Sequence, residues 1–255
     1  MIAEYLLLLV LMLGLAIGIL AAFLGIGGGV LFVPTLMFIF GFDVKIAIGT
    51  SLMAVLITCF SSVAVYARHK KIWYRLGIIL EGASVPGAFF GAYFAYIAPE
   101  YVLRAIFTLF LFFMAINMLR KEKHIRIADR DNDDGSRKEM IHALALSFIA
   151  GFLSASLGIG GGVLKVPIMV MSLNIPIHYA VGTSVFMIVI TASAGLIEHL
   201  LYGHVDMLYG ILLGLGSSIG AQIGARISLR TKPIILRRVF GVLLIVLGMR
   251  MLMAI

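Results

Sequence analysis

Two copies of one glycine cluster are the residues best suited to chemistry in this 255-residue chain: Gly25–Ile26–Gly27–Gly28–Gly29 and Gly158–Ile159–Gly160–Gly161–Gly162. Each lies in apolar sequence, where three glycines in a row weaken a helix by about 1 kcal/mol apiece relative to alanine. A helix that restarts after such a break presents unpaired N–H groups and about half a positive charge. Two such ends facing one another suit an oxyanion. Gly27, Gly28, Gly29, Gly160, Gly161 and Gly162 are therefore the expected backbone of a substrate site. The cluster is not a dinucleotide fingerprint, because Val30 stands where a third glycine is needed, and no Gly-Lys-Ser/Thr follows to make a phosphate loop. Close helix packing is the plainer alternative. It suits the Gly-x-x-x-Gly pairs Gly87/Gly91 and Gly220/Gly224 better, since packing needs glycine on one helix face only.

Lys165 is the one charge within a glycine-motif helix; its counterpart in the first copy is Phe32. A lysine at membrane depth is costly, so it is read as part of the anion site rather than as a side chain snorkelling to the surface. Thr50, Ser51, Thr183 and Ser184 occur in AIGTS and AVGTS. They are read as opening their helices, either as N-caps or with hydroxyls toward substrate. Glu81 and Glu198 lack symmetric partners; either could carry protons, but a position near the membrane interface is preferred for both. Gln222 is placed toward the cavity. His199, His204 and Asp206 fit no zinc-ligand spacing, and no metal or cofactor is expected.

The elements that must hold these residues are membrane helices. Of all residues 62% are hydrophobic and 13% charged, against roughly half and a quarter in soluble domains. Long apolar runs such as Tyr5–Leu24, Ile46–Tyr66 and Ala105–Leu119 match the ~20 residues needed to cross a bilayer. They do not alternate as barrel strands would. The net charge of +8 resides in short loops, and no nucleic-acid-binding motif accompanies it. The single cysteine, Cys59, excludes a disulfide framework, and the first apolar run is read as a retained helix.

The glycine motif repeats at an offset of 133 residues, and the same offset relates Pro34 to Pro167, Thr50/Ser51 to Thr183/Ser184, Ser84 to Ser217 and Gly87/Gly91 to Gly220/Gly224. Two membrane repeats, 1–120 and 141–255, flank a polar linker, 121–140, which is expected in the cytosol. Basic residues cluster at 68–75, in the linker and at 230–238. All three clusters belong on the cytosolic side. Because the basic loop changes position between repeats, the repeats are expected to be inverted. The chain is thus read as an all-α polytopic membrane protein of two inverted repeats. Each repeat has a glycine-broken re-entrant helix pair, with short return helices near Val30–Phe40 and Val163–Leu173, plus three transmembrane helices. Both termini then lie outside an inner (cytoplasmic) membrane. The competing reading makes each glycine segment a single kinked crossing, with parallel repeats and residues 230–238 outside.

GIGGGVLFVP (25–34) and GIGGGVLKVP (158–167), with AIGTSL, AVGTSV and the Gly-His-Val-Asp at 203–206, resemble the sulfite exporter TauE/SafE family. The resemblance implies a secondary transporter of small sulfur-containing anions such as sulfite or an organosulfonate. An anion channel of the same architecture, or a transporter of another small anion, are the alternatives. An intramembrane enzyme is disfavoured, because neither His-Glu-x-x-His nor a pair of intramembrane aspartates is present. The expected partners are the anion and the lipid bilayer; oligomeric state is not specified.

Overall fold

A computed structural model describes residues 2–119, 133–173, 175–230 and positions 245, 246, 248 and 249. Its helices are α1 (Ile2–Leu24), α2 (Gly29–Phe38), α3 (Val44–Arg68), α4 (Tyr74–Ile97), α5 (Glu100–Leu119), α6 (Asp133–Leu157), α7 (Gly162–Pro167), α8 (Ile177–Leu201) and α9 (Met207–Ser228). A π-helical turn, Ile168–Ser172, continues α7. Among the described residues α1, α3, α4, α6, α8 and α9 are long and apolar enough to cross a membrane. Large apolar side chains such as Phe90, Leu109, Leu201 and Ile219 point outward, which is stable only against lipid or another apolar surface. The protein is an all-helical, polytopic membrane protein.

The short helices after each glycine motif form where the sequence places them, at α2 and at α7 with its π turn. Helix α6 begins at Asp133, within the stretch read from sequence as linker. The third long helix of the second repeat would fall within 231–255, almost wholly outside the described residues.

Helix directions follow from the register of close contacts. A Cβ added to Gly216, Gly220 or Gly224 of α9 would strike the carbonyl of Leu11, Leu15 or Ile19 in turn, so α1 and α9 run the same way. Gly210 and Gly214 lie against Met53 and Ile57, which aligns α3 with α9. In the same manner Gly87 and Gly91 of α4 meet Phe148 and Phe152 of α6, and Gly77 and Ser84 of α4 meet Phe186 and Thr191 of α8 in turn. One set of parallel helices is therefore α1, α3 and α9, and the other α4, α6 and α8. Gly49 of α3 meets His204, just past the end of α8, while Gly182 of α8 meets Tyr66, near the end of α3, so α3 and α8 run in opposite directions. The ends of α3 and α9 lie together, with His69, Arg226 and Arg230 lining one surface hollow.

Packing also crosses between the repeats. The first helix of each repeat lies on a helix of the other, α1 on α9, and for the second repeat α6 on α4, and both contacts are made by the Gly-x-x-x-Gly pairs. Backbone-to-backbone approach of this kind is how helices associate where the surrounding solvent is as apolar as their side chains.

Candidate anion site

The two glycine breaks are brought to one place. Gly25, Gly27 and Gly28 have φ of 68°, 78° and 90°, and Gly158, Gly160 and Gly161 have 68°, 77° and 74°. These left-handed angles are the physical reason for glycine there. Helix α2 then begins with Leu31 and Phe32 donating their N–H to the Gly28 carbonyl, at 2.9 and 3.0 Å. Helix α7 begins with Leu164 and Lys165 donating to that of Gly161, at 3.2 and 3.1 Å. The N–H groups of Gly29, Val30, Gly162 and Val163 precede these bonds and have no intrahelical partner.

The breaks pass each other in close contact. A Cβ on Gly29 would lie 2.6 Å from the Ile159 Cα, and one on Gly162 would lie 2.5 Å from the Gly25 oxygen. Val55 and Ile188, themselves related by the offset, both wedge against Gly27 and Gly160. Thus Gly29 and Gly162 serve packing directly, whereas the sequence reading assigned the whole motif to substrate. Two surface hollows, of 620 and 420 Å³, are lined by no residue of either break. All residues of both breaks, 25–29 and 158–162, are buried, which closes the centre among the described residues.

The four hydroxyl residues are fully buried, but they do not open their helices. Helix α3 starts at Val44 and α8 at Ile177, so Thr50, Ser51, Thr183 and Ser184 lie inside them and are not N-caps. They fasten the repeats instead. The Ser51 hydroxyl donates to the Gly158 carbonyl at 2.8 Å, and that of Ser184 donates to Gly25 at 3.0 Å. Thr50 Oγ1 accepts the Asp206 N–H at 2.9 Å, and Thr183 Oγ1 accepts the Trp73 N–H at 2.8 Å.

Lys165 is 1% exposed and cannot snorkel. Its Nζ donates to Glu81 Oε1 at 2.5 Å and also to the Thr191 hydroxyl, which in turn donates to Glu81 Oε2. Glu81, at 3% exposure, therefore lies in the core and not at an interface. The sequence reading missed this pair because 84 residues separate its members and no periodicity links α4 to α7. Ser154 of α6 was missed as well. Its side chain and the Lys165 stem both border Gly161, and its buried hydroxyl has no hydrogen-bond partner among the described residues. Glu198 is half-buried near the end of α8, and Gln222 is exposed on α9 instead of facing a cavity.

His199 is buried with Nε2 3.0 Å from the Ala155 oxygen, and its ring lies 5.9 Å from that of His204. Burial, and then the charge of Lys45, lower the His204 pKa. Asp206 is the N-cap of α9, accepting the Tyr209 N–H at 3.0 Å, so the Asp of the Gly-His-Val-Asp sequence starts a helix. At the equivalent place in the first repeat stands Trp73, which makes no side-chain cap.

Such a construction, a helical membrane bundle with two broken helices meeting inside it, is that of a membrane transporter. The chain belongs to the sulfite exporter TauE/SafE family, which it matches over residues 10–251. It is 33% identical over 224 residues to the probable membrane transporter protein YunE of Bacillus subtilis, covering 80% of this chain and 82% of the relative. A probable membrane transporter protein of Methanocaldococcus jannaschii is 34% identical over 216 residues, or 82% and 78% of the two chains. Sulfite exporter TauE/SafE family protein 5 of Arabidopsis thaliana is 36% identical over 78 residues, 29% of this chain and 17% of that one. No solved structure matches. The first two relatives are thus named as probable membrane transporters, and the third as a member of the same exporter family.

Proposed function

We propose that this protein is a secondary transporter of small sulfur-containing anions, sulfite, an organosulfonate or a related oxyanion, across the cytoplasmic membrane. The anion is held where the two glycine breaks meet, by N–H groups at the starts of α2 and α7 and by the charge of Lys165. The observation that carries this reading is the juxtaposition of both breaks, from opposite directions, beside a buried lysine. Each helix start contributes about half a positive charge, so the pair suits one small anion. The family name, and the name of the Arabidopsis relative, support sulfite or a similar sulfur oxyanion as the cargo.

Equivalent helices run in opposite directions, and the ends of α3 and α9 share one side of the bundle. Both features support inverted repeats, with basic loops in the cytosol and termini outside. The closed centre supports a carrier over an open channel, because an anion can enter only when the breaks part. The Ser51 and Ser184 bonds, each from one repeat to the other's break, would be exchanged for bonds to the anion as that happens.

The test is thermal stabilisation of the purified protein by sulfite, sulfate, thiosulfate, sulfoacetate and taurine, followed by flux of the best ligand in proteoliposomes. Stabilisation by at least one sulfur oxyanion, with uphill accumulation driven by an ion gradient, is expected. Stabilisation by none of them, or flux that only dissipates gradients, would overturn the reading.

A further inference from the structure

We propose that Glu81 is the proton-coupling residue of this transporter, taking up a proton when the anion replaces its carboxylate as the partner of Lys165. The inference rests on the transport reading above and deepens it.

The argument starts from a broken symmetry. Thr58 and Ser217 hydrogen-bond to one another, and their counterparts at the 133-residue offset, Thr191 and Ser84, do the same. Around this shared core the two repeats differ. Beside the second break stand Ser154, Lys165 and Glu81, where the first has Ala21, Phe32 and Gly214. Packing alone is therefore satisfied by apolar residues in one copy of the same architecture. The other copy carries a fully buried ion pair, which removes two charges from water at a cost of several kcal/mol per ion before their attraction is counted. Such a pair inside a membrane protein marks ion or proton pathways more often than stability.

Charge balance then fixes the role. While Glu81 is ionised, Lys165 is neutralised and the centre offers an anion only the helix ends. A proton on Glu81 Oε1 or Oε2 removes that competition and leaves Lys165 free for an anion oxygen. The hydroxyl of Ser154, which borders Gly161 as the Lys165 stem does and has no partner among the described residues, can supply a further bond. The proton comes from water on the side where the anion enters and returns to water where it leaves, so both travel in the same direction. Lys165 keeps its own proton throughout. Elements packed against the pair contribute Cys59 from α3, Ser154 from α6 and Thr191 from α8, of which only Cys59 is titratable.

The experiment uses the full chain in proteoliposomes with an internal pH dye and the panel named above, each member offered as the probe. An inward anion gradient should acidify the lumen of wild-type vesicles. A gradient of one pH unit, acid outside, should concentrate a probe carried one-to-one with a proton about tenfold, since one unit corresponds to about 1.4 kcal/mol. Glu81→Gln should abolish both effects while exchange of labelled for unlabelled anion continues, and its stabilisation by anion should lose its pH dependence. Glu81→Asp, which restores a carboxylate, should recover proton movement in part. Sulfite binds protons itself near neutral pH, so for that probe the comparison is between wild type and Glu81→Gln under identical pH steps. Wild-type anion flux without proton movement overturns the proposal and leaves the transport reading intact. Proton-driven accumulation that survives in Glu81→Gln also overturns it. Should Glu81→Gln fail to fold, the wild-type proton measurement decides. Absence of any anion flux in wild type instead overturns the transport reading, and this proposal with it.

Discussion

Alanine at Gly29 or Gly162 asks whether the breaks pack as described. The new methyl at Gly162 would lie 2.5 Å from the Gly25 oxygen and 2.8 Å from the Ile26 Cα, both backbone atoms, where ordinary contact begins at 3.4 Å. At Gly29 it would lie 2.6 Å from the Ile159 Cα and closer still to the Gly158 oxygen. No side chain can swing aside to relieve this, so the breaks must separate by nearly an ångström. Overpacking a tight interior costs about 1–3 kcal/mol, and the obstruction by backbone puts these sites toward the upper end. Both positions are in the first turn of a helix, where alanine gains up to ~1 kcal/mol over glycine. The net loss is about 1–2 kcal/mol, or roughly 5 °C in Tm for a chain of this size. Gly82 of α4 is the control. Nothing lies within 4 Å of a Cβ added there, so Gly82→Ala should keep or raise Tm. Thermal unfolding of the three variants in one detergent, with and without the best-binding anion, reads the result. If Gly29→Ala and Gly162→Ala melt with Gly82→Ala, the close contact between breaks is wrong, and with it the idea that they form one site.

Further expectations follow from the same geometry. Lys165→Met leaves Glu81 without its buried partner and should cost about 3–5 kcal/mol, whereas the double change Lys165→Met with Glu81→Leu should restore most of the stability; equal melting of the single and double variants would refute a net coupling between them. Gly28→Ala and Gly161→Ala meet left-handed φ of 90° and 74°, so both should lose stability as well as anion binding; a purely binding defect would mean the break relaxes easily. Single cysteines at Asn132 and Thr231 in a Cys59→Ser background should be labelled from the cytosolic side alone, and labelling of position 231 from outside would sink the inverted arrangement. The depressed pKa of His204 means the unfolded chain takes up its proton first. Stability should therefore fall as pH drops below about 6.5, the ordinary histidine value, and His204→Gln should flatten that slope in a melting series.

Much of this protein is written in local sequence. Apolar runs of bilayer length, left-handed glycines and a repeat at constant offset each depend on neighbours along the chain, so α2 and α7 and the break before each were readable directly. The offset even paired residues that prove to do equivalent jobs, such as Ser51 with Ser184 and Thr50 with Thr183. What those jobs are was not readable, because a hydroxyl within a helix has no preferred partner until another helix arrives. The Asp206 N–H and the Gly158 carbonyl come from the opposite repeat, and they turn expected caps or ligands into fasteners. The Gly-x-x-x-Gly pairs declared a packing face, yet only the bundle chose α6 for Gly87/Gly91 and α1 for Gly220/Gly224. Lys165 was conspicuous in sequence as a lone charge in apolar surroundings. Its partner was not, since Glu81 lies near a helix start and resembles an interfacial residue. Pairing a lysine with a carboxylate across 84 residues is decided by which helices touch, and burial then forces the two charges together.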